Sequence, residues 1–178
     1  MRHSGPRLFS AAQVAALVTL GLSLGGASVA AQPVAAPDRA AWGQHELPIH
    51  DAARMGTRAE VERLIKADVA NRDARAPQGA TPLHYAAMNL DSGPLTALLA
   101  AGANPNARDG EGRTPLHMAA FATRTANAKL LLRAGGDPNA KTDAGRDVLS
   151  MARKVRADEL AGEVSLWILK GCSPQKPC

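Results

Sequence analysis

Three histidines recur at near-equal intervals: His50, His84 and His117. Imidazole is the commonest metal ligand and the usual general base near neutral pH, so zinc binding and proton transfer are the first chemistries to weigh. Zinc needs its ligand nitrogens about 2 Å from one centre. Intervals of 34 and 33 residues put each ring in its own structural unit. Rings on successive helical layers stand about 8–10 Å apart and share no ion. His45 stands beside His50, where incidental weak metal binding stays open. Ser150 and Ser165 lack the Gly-x-Ser-x-Gly setting of an activated nucleophile. There is no P-loop and no Gly-x-Gly-x-x-Gly. A non-enzymatic chain with no cofactor and no metal is expected. Cys172 and Cys178 are the one redox pair, six positions apart with Ser173, Pro174 and Pro177 between. In an oxidising compartment they can close a small disulfide loop; the alternative is two exposed thiols in a frayed tail.

The elements that carry these residues repeat. Thr81-Pro82-Leu83-His84-Tyr85-Ala86-Ala87 returns 33 positions later as Thr114-Pro115-Leu116-His117-Met118-Ala119-Ala120. Gly102-Ala103-Asn104-Pro105-Asn106-Ala107 returns at the same interval as Gly135-Gly136-Asp137-Pro138-Asn139-Ala140. A worn earlier copy runs from Leu47 to Ala53, and a later one starts at Gly145-Arg146-Asp147-Val148-Leu149. In period and in the Thr-Pro-Leu-His-x-Ala signature these segments resemble the ankyrin family. The resemblance spans residues 47–171. It implies an all-α solenoid of about four stacked helix–turn–helix repeats with projecting β-turn or hairpin loops. The repeats are 47–80, 81–113, 114–146 and 147–171, the first and last acting as caps.

Local chemistry points the same way. Thr81 and Thr114 suit the N-cap position, with the hydroxyl accepting from a free backbone amide. Pro82 and Pro115 fit the first helical position, where a missing N–H costs nothing. His84 and His117 fall where a side chain reaches back to the cap, as in a capping box. The short first helices should end near Asn89 and Ala122. Second helices carry Leu95, Leu98 and Leu99, then Leu130, Leu131 and Leu132, and stop at Gly102 and Gly135. Asp109-Gly110 marks a projecting turn. Repeat 1 has Leu47 where Thr is expected, losing its cap, and extra residues around Ala74 to Pro77 that should lengthen one turn. Leu90-Asp91 stands where the family usually has Gly-His, so that helix–helix turn should differ. Repeat 4 has Asp147, Ser150 and Arg153 at signature positions; Arg156, Glu159 and Glu163 suit an exposed terminal helix. Trp42 and Trp167 flank the stack, each plugging an end of the apolar core or offering a contact anchor.

Upstream, Arg2 and Arg7 precede an apolar stretch, Leu8 to Ala30, that ends in Ser28-Val29-Ala30-Ala31-Gln32-Pro33. This is the layout of a secretory signal peptide, residues 1–31, cut after Ala30 or Ala31. An uncleaved anchor is the alternative, since about 20 apolar residues span a bilayer; Gly21, Ser23, Gly25, Gly26 and Ser28 argue against it. No cysteine follows to take a lipid. A Pro- and Ala-containing flexible leader, 32–46, joins it to the repeats, and 172–178 form a tail. Hydrophobic residues make up 46% of the chain and aromatics only 3%, so small Ala/Leu cores between helices are favoured. The +5 charge falls to 19 basic against 16 acidic residues once Arg2 and Arg7 leave. The cations are dispersed and not interleaved with aromatics, so no nucleic-acid partner is expected; after cleavage no membrane contact is expected either.

The resemblance implies a monomeric, non-catalytic module that holds an unidentified protein partner on a concave face of turn tips and first helices. The variable positions of that face are Arg54, Met55, Ala80, Met88 and Asn89, then Arg108, Gly110, Glu111, Arg113, Phe121 and Ala122, then Lys141, Asp143, Ala144 and Arg146. Met55, Met88 and Phe121 among arginines suit an acidic, partly apolar partner. The expected setting is the periplasm or the exterior. Two further readings remain: a structural envelope component held by an uncleaved N-terminal helix, and a secreted effector that binds a host protein.

Overall fold

A computed structural model describes residues 45–172 of the chain. The expected signal peptide, almost all of the leader, Trp42 and Cys178 lie outside these residues. Eight α-helices form four pairs: α1 (Pro48–Met55) with α2 (Arg58–Ala67), α3 (Pro82–Met88) with α4 (Gly93–Ala100), α5 (Pro115–Phe121) with α6 (Thr125–Arg133), and α7 (Val148–Lys154) with α8 (Asp158–Leu169). A 3-10 helix, Val69–Asp73, follows the first pair. The first helices stack as one row, α1 on α3 on α5 on α7; α2 packs on α4 and α6 on α8. The core between the rows is built from small and branched residues. Leu83, Ala86, Leu95, Leu98, Leu116, Ala119, Leu131, Val148 and Leu160 are essentially inaccessible. No helix among the described residues is long and apolar enough to cross a membrane.

Each first helix starts with a proline at its first turn or, in α7, with Val148 after an aspartate cap. The expected capping box is present, and the Nδ1 of His84 lies 2.9 Å from the Thr81 hydroxyl. Nδ1 also accepts from the Thr81 backbone N–H at 3.0 Å. A backbone N–H can only donate, so Nδ1 is the bare nitrogen and the proton sits on Nε2. Nε2–H then donates to the Arg113 carbonyl at 3.0 Å. His117 repeats this, with Nδ1 on the Thr114 N–H and Nε2 on the Arg146 carbonyl at 3.3 Å. Each ring therefore joins the start of its own helix to the end of its own repeat, just before the next helix begins. His50 keeps the reach-back, accepting from Leu47 N–H at 2.8 Å, so the first repeat loses only the hydroxyl half of its cap. Its Nε2 faces the Ala74 carbonyl, earlier in the connection than in the other repeats. In the fourth repeat Ser150 replaces histidine, and the Asp147 carboxylate accepts from the Ser150 amide at 2.7 Å.

The second helices end as the glycines require: Gly102 and Gly135 adopt φ of 85° and 91°, a region that costs a residue with a Cβ. The turn at 76–80 is not lengthened. Ala76 N–H to Ala80 O, and Gly79 N–H to Ala76 O, match the bonds Asp109 to Arg113 and Gly112 to Asp109, and again Thr142 to Arg146 and Gly145 to Thr142. The extra residue of the first repeat is absorbed upstream, where α1 has 8 residues against 7 in α3 and the 3-10 segment intervenes. The turn at Leu90 does differ from its counterparts. Thr123 and Arg156 take φ of 56° at that position, whereas Leu90 keeps a negative φ. There Asn89 accepts from Asp91 N–H and Asp91 accepts from Gly93 N–H.

At the ends of the stack, Glu46, placed in the leader by the sequence, belongs to the folded unit. It accepts from Arg54 at 2.8 Å and from the Tyr85 hydroxyl at 2.7 Å. Trp167 packs against the C-terminal end of the core. Glu159 is exposed on α8 as expected, Glu163 pairs with Lys129 on α6 at 2.8 Å, and Leu166 and Leu169 are exposed as well.

Candidate protein-binding face

The 33-residue register places equivalent side chains in columns along the first helices and turns. One column holds Tyr85, Met118 and Met151; its neighbour holds Met88, Phe121 and Lys154. The turns beside them are linked in file. Gly110 N–H donates to Gln78 O at 2.8 Å, and Asp143 N–H to Glu111 O at 3.0 Å. The turns and first helices thus present one surface whose spacing is set by the core behind it.

Between the second and third turns this surface sinks into a hollow of about 160 Å³, lined by Glu111, Arg113, Phe121, Thr142, Arg146, Met151, Lys154 and Val155. Glu111, Arg113, Phe121 and Arg146 were expected on the face. Thr142, Met151, Lys154 and Val155 were not, although counting 33 positions on from Asp109, Met118, Phe121 and Ala122 reaches each of them. Phe121 is 58% exposed, a large cost in water for a ring whose neighbours Leu116 and Ala120 are fully buried.

The other expected face residues divide. Met55 is 86% exposed at the N-terminal end, outside the hollow. Arg54 is consumed locally: it pairs with Glu46 and lies 4.5 Å over the Tyr85 ring. Hydrogen bonding from Tyr85, then the Arg54 charge, holds the Glu46 carboxyl below its usual range against some burial; burial and the Glu46 contact push Tyr85 up to about 12. Arg108 pairs with Asp143 at 3.1 Å. Arg108 and Lys141 border a separate polar groove with Asn106, Asp137 and Asn139. Ala144 is exposed, Gly110 and Ala122 are half-buried, and Ala80 is buried.

Three expectations need correction. Asn89 is buried, and its Nδ2 donates to the Ala53 carbonyl at 3.1 Å. It closes the end of α1 and is not offered to a partner. Asn127 does the same for α3, donating to Ala86, Ala87 and Asn89 carbonyls; a lone helix asparagine gave no sign of this. Met88 is half-buried against the core. Arg113 lines the hollow yet also holds the turn together. Its Nε donates at 2.7 Å to Asp109, whose side chain is 1% exposed and also accepts from the Glu111 and Arg113 amides.

Both nitrogens of His84 and His117 are committed to backbone partners, leaving no lone pair for a ligand. Burial pushes His84 down to about 4, partly opposed by its bond to the Arg113 carbonyl, and lowers His117 in the same way. Cys172 is buried and disulfide-bonded. Cys178, the only other cysteine of the sequence, is outside the described residues.

A row of helix pairs with a file of projecting turns defines a repeat solenoid, a class whose exposed turn-and-helix surface serves to bind other proteins. The comparison with family models is specific: ankyrin repeats (3 copies) match residues 49–142, more than half of the chain. The chain belongs to the ankyrin repeat family. No curated protein matches it.

Proposed function

We propose that the chain is a monomeric, non-catalytic scaffold that acts outside the cytoplasm, in the periplasm or beyond, and grips a partner protein on its turn-and-first-helix face. The observation that carries this reading is the exposed Phe121 ring beside a preformed hollow, while Leu116 and Ala120 of the same helix are fully buried. Buried aromatic and arginine anchors supply most of the energy of protein interfaces. Two features support export: the arginine-led apolar segment with small residues at Ser28 to Ala31, and the disulfide at Cys172, a bond that persists in oxidising compartments.

The test has two readouts on one preparation. N-terminal sequencing of the exported protein should begin at Ala31 or Gln32; recovery of Arg2 or Leu8 points to a retained anchor and overturns cleavage. A photo-crosslinking residue at Phe121 should capture a discrete protein from envelope or secreted fractions, and the same probe at exposed Ala100 on α4 should not. Equal capture at both positions, or capture at Ala100 alone, overturns the assignment of the face.

A further inference from the structure

The hollow beside Phe121 has a charge pattern of its own. Its lining combines apolar Phe121, Met151 and Val155 with charged Arg113, Arg146, Lys154 and Glu111. Glu111 lies 3.3 Å from Arg113, whose guanidinium it shares with Asp109. Arg146 and Lys154 are exposed and form no ion pair among the described residues. The three cations outnumber Glu111 and the Asp109 carboxylate by one, and Arg146 and Lys154 stand beside the apolar lining without an ion pair among the described residues. The N-terminal half of the same face lacks this: its turn tip offers Pro77 and Gln78, its column residue is Met88, and Arg54 is already paired. An apolar cavity of about 150 Å³ holds a benzene-sized group, so the pit matches one Leu- or Phe-sized side chain.

We propose that this hollow, between the second and third turns, is a subsite for an acidic polypeptide segment: one large apolar side chain enters the pit, and carboxylates flanking it meet Arg146 and Lys154. The inference rests on the reading of the turn-and-first-helix face as the protein-binding one and adds the partner's chemistry. A polypeptide is favoured over a nucleic acid because the cations are three and stand beside an apolar lining, whereas a phosphate backbone calls for a longer basic stripe. Charge complementarity of this kind fixes which end of a segment lies where.

The full chain is panned against a random dodecapeptide library, alongside Arg146→Glu/Lys154→Glu and Arg146→Gln/Lys154→Gln double variants. Matching thermal melts show that the exposed substitutions leave the fold intact. The expected enrichment is for a Leu, Ile or Phe flanked by Asp or Glu. The best enriched peptide should bind at least ten-fold more weakly to the Gln variant, more weakly still to the Glu variant, and more weakly to the parent in high salt. The Glu variant should enrich Lys- or Arg-flanked peptides instead. Absence of enrichment, enrichment without acidic residues, the same acidic peptides on the Glu variant, or tighter binding of random single-stranded DNA overturns the proposal. The crosslink at Phe121 separates the two readings: if the Glu variant captures its partner as the parent does, the face stands and the acidic segment falls.

Discussion

His84 makes the stack acid-sensitive above the range in which carboxylates titrate. Its Nδ1 must stay bare to accept the Thr81 amide, and burial holds it neutral down to about pH 4. In the unfolded chain an imidazole takes its proton near pH 6.5. Between these values the unfolded state binds one more proton than the native state, so stability falls as pH falls. The contribution is fully present above pH 6.5 and lost on descent to about 4. A depression of that size is worth about 3 kcal/mol at 1.36 kcal/mol per unit, against a total of about 5–15 kcal/mol for a folded domain. His117 is lowered too and adds in the same direction. Glu46 and Asp147 are also lowered, by hydrogen bonds from Tyr85 and from the Ser150 amide respectively, but their losses begin only below ordinary values of 4.5 and 3.8. Urea denaturation at pH 7.5, 6.5, 5.5 and 4.5 should show the slope steepen below pH 6.5 to at least about 1 kcal/mol per pH unit. His84→Gln keeps an acceptor for the Thr81 amide and loses the reach to Arg113. It should be less stable at pH 7.5 and show a shallower slope by about one proton. Equal stability at pH 7.5 and 4.5, or the same slope in both proteins, refutes the reasoning.

Leu116→Ala should cost about 2–5 kcal/mol and Phe121→Ala less than about 0.5; thermal melts of equal severity would move Phe121 into the core. Asp109→Ala strips the acceptor from two turn amides and from Arg113, and should cost about 1–3 kcal/mol, so an unchanged melt refutes its organising role. Arg113→Ala should also destabilise measurably, unlike an ordinary surface change, because it leaves the Asp109 carboxylate buried with fewer donors. Non-reduced protein should weigh less than the reduced form by a pair of hydrogens and resist alkylation, with little loss of stability on reduction because pairing Cys172 with Cys178 closes only a short tail loop; two reactive thiols would exclude the bridge.

The helix pairs were legible because Thr, Pro, His and Gly act on backbone within four residues of themselves, and two copies in register fix the rest. What stayed hidden depends on longer reach. Asn127 serves carbonyls 38 to 41 positions earlier, and in one sequence it is indistinguishable from a solvated asparagine. Arg113 reads as a loose turn cation until the turn folds it back on Asp109. The 3-10 helix rests on local polar bonds, Asp68 to the Ala70 amide and Asn71 to the Leu64 carbonyl, in a stretch with no apolar period. The hollow was half seen. Glu111, Arg113, Phe121 and Arg146 came from variable positions near full signatures; Thr142 sits in the third turn, and Met151, Lys154 and Val155 lie in the worn fourth repeat, where the register alone gives them away.

On the proposed reading, the residues that hold the stack together are mostly not those that would meet a partner. The signature positions Thr114, Pro115, Leu116, His117, Ala119 and Ala120 are all buried; each faces a core or a backbone group that recurs in the next unit, so a change there is felt through the row. Phe121, Arg146 and Lys154 touch solvent at the hollow and can vary with little effect on the row behind them. Arg113 alone does both, bonding the buried Asp109 while lining the hollow. Its guanidinium is fixed before any partner arrives, which lowers the entropy lost on binding. On the proposed reading, the selective part of the face falls where one rigid arginine, two cations without an ion pair among the described residues and an exposed ring meet, between the second and third turns.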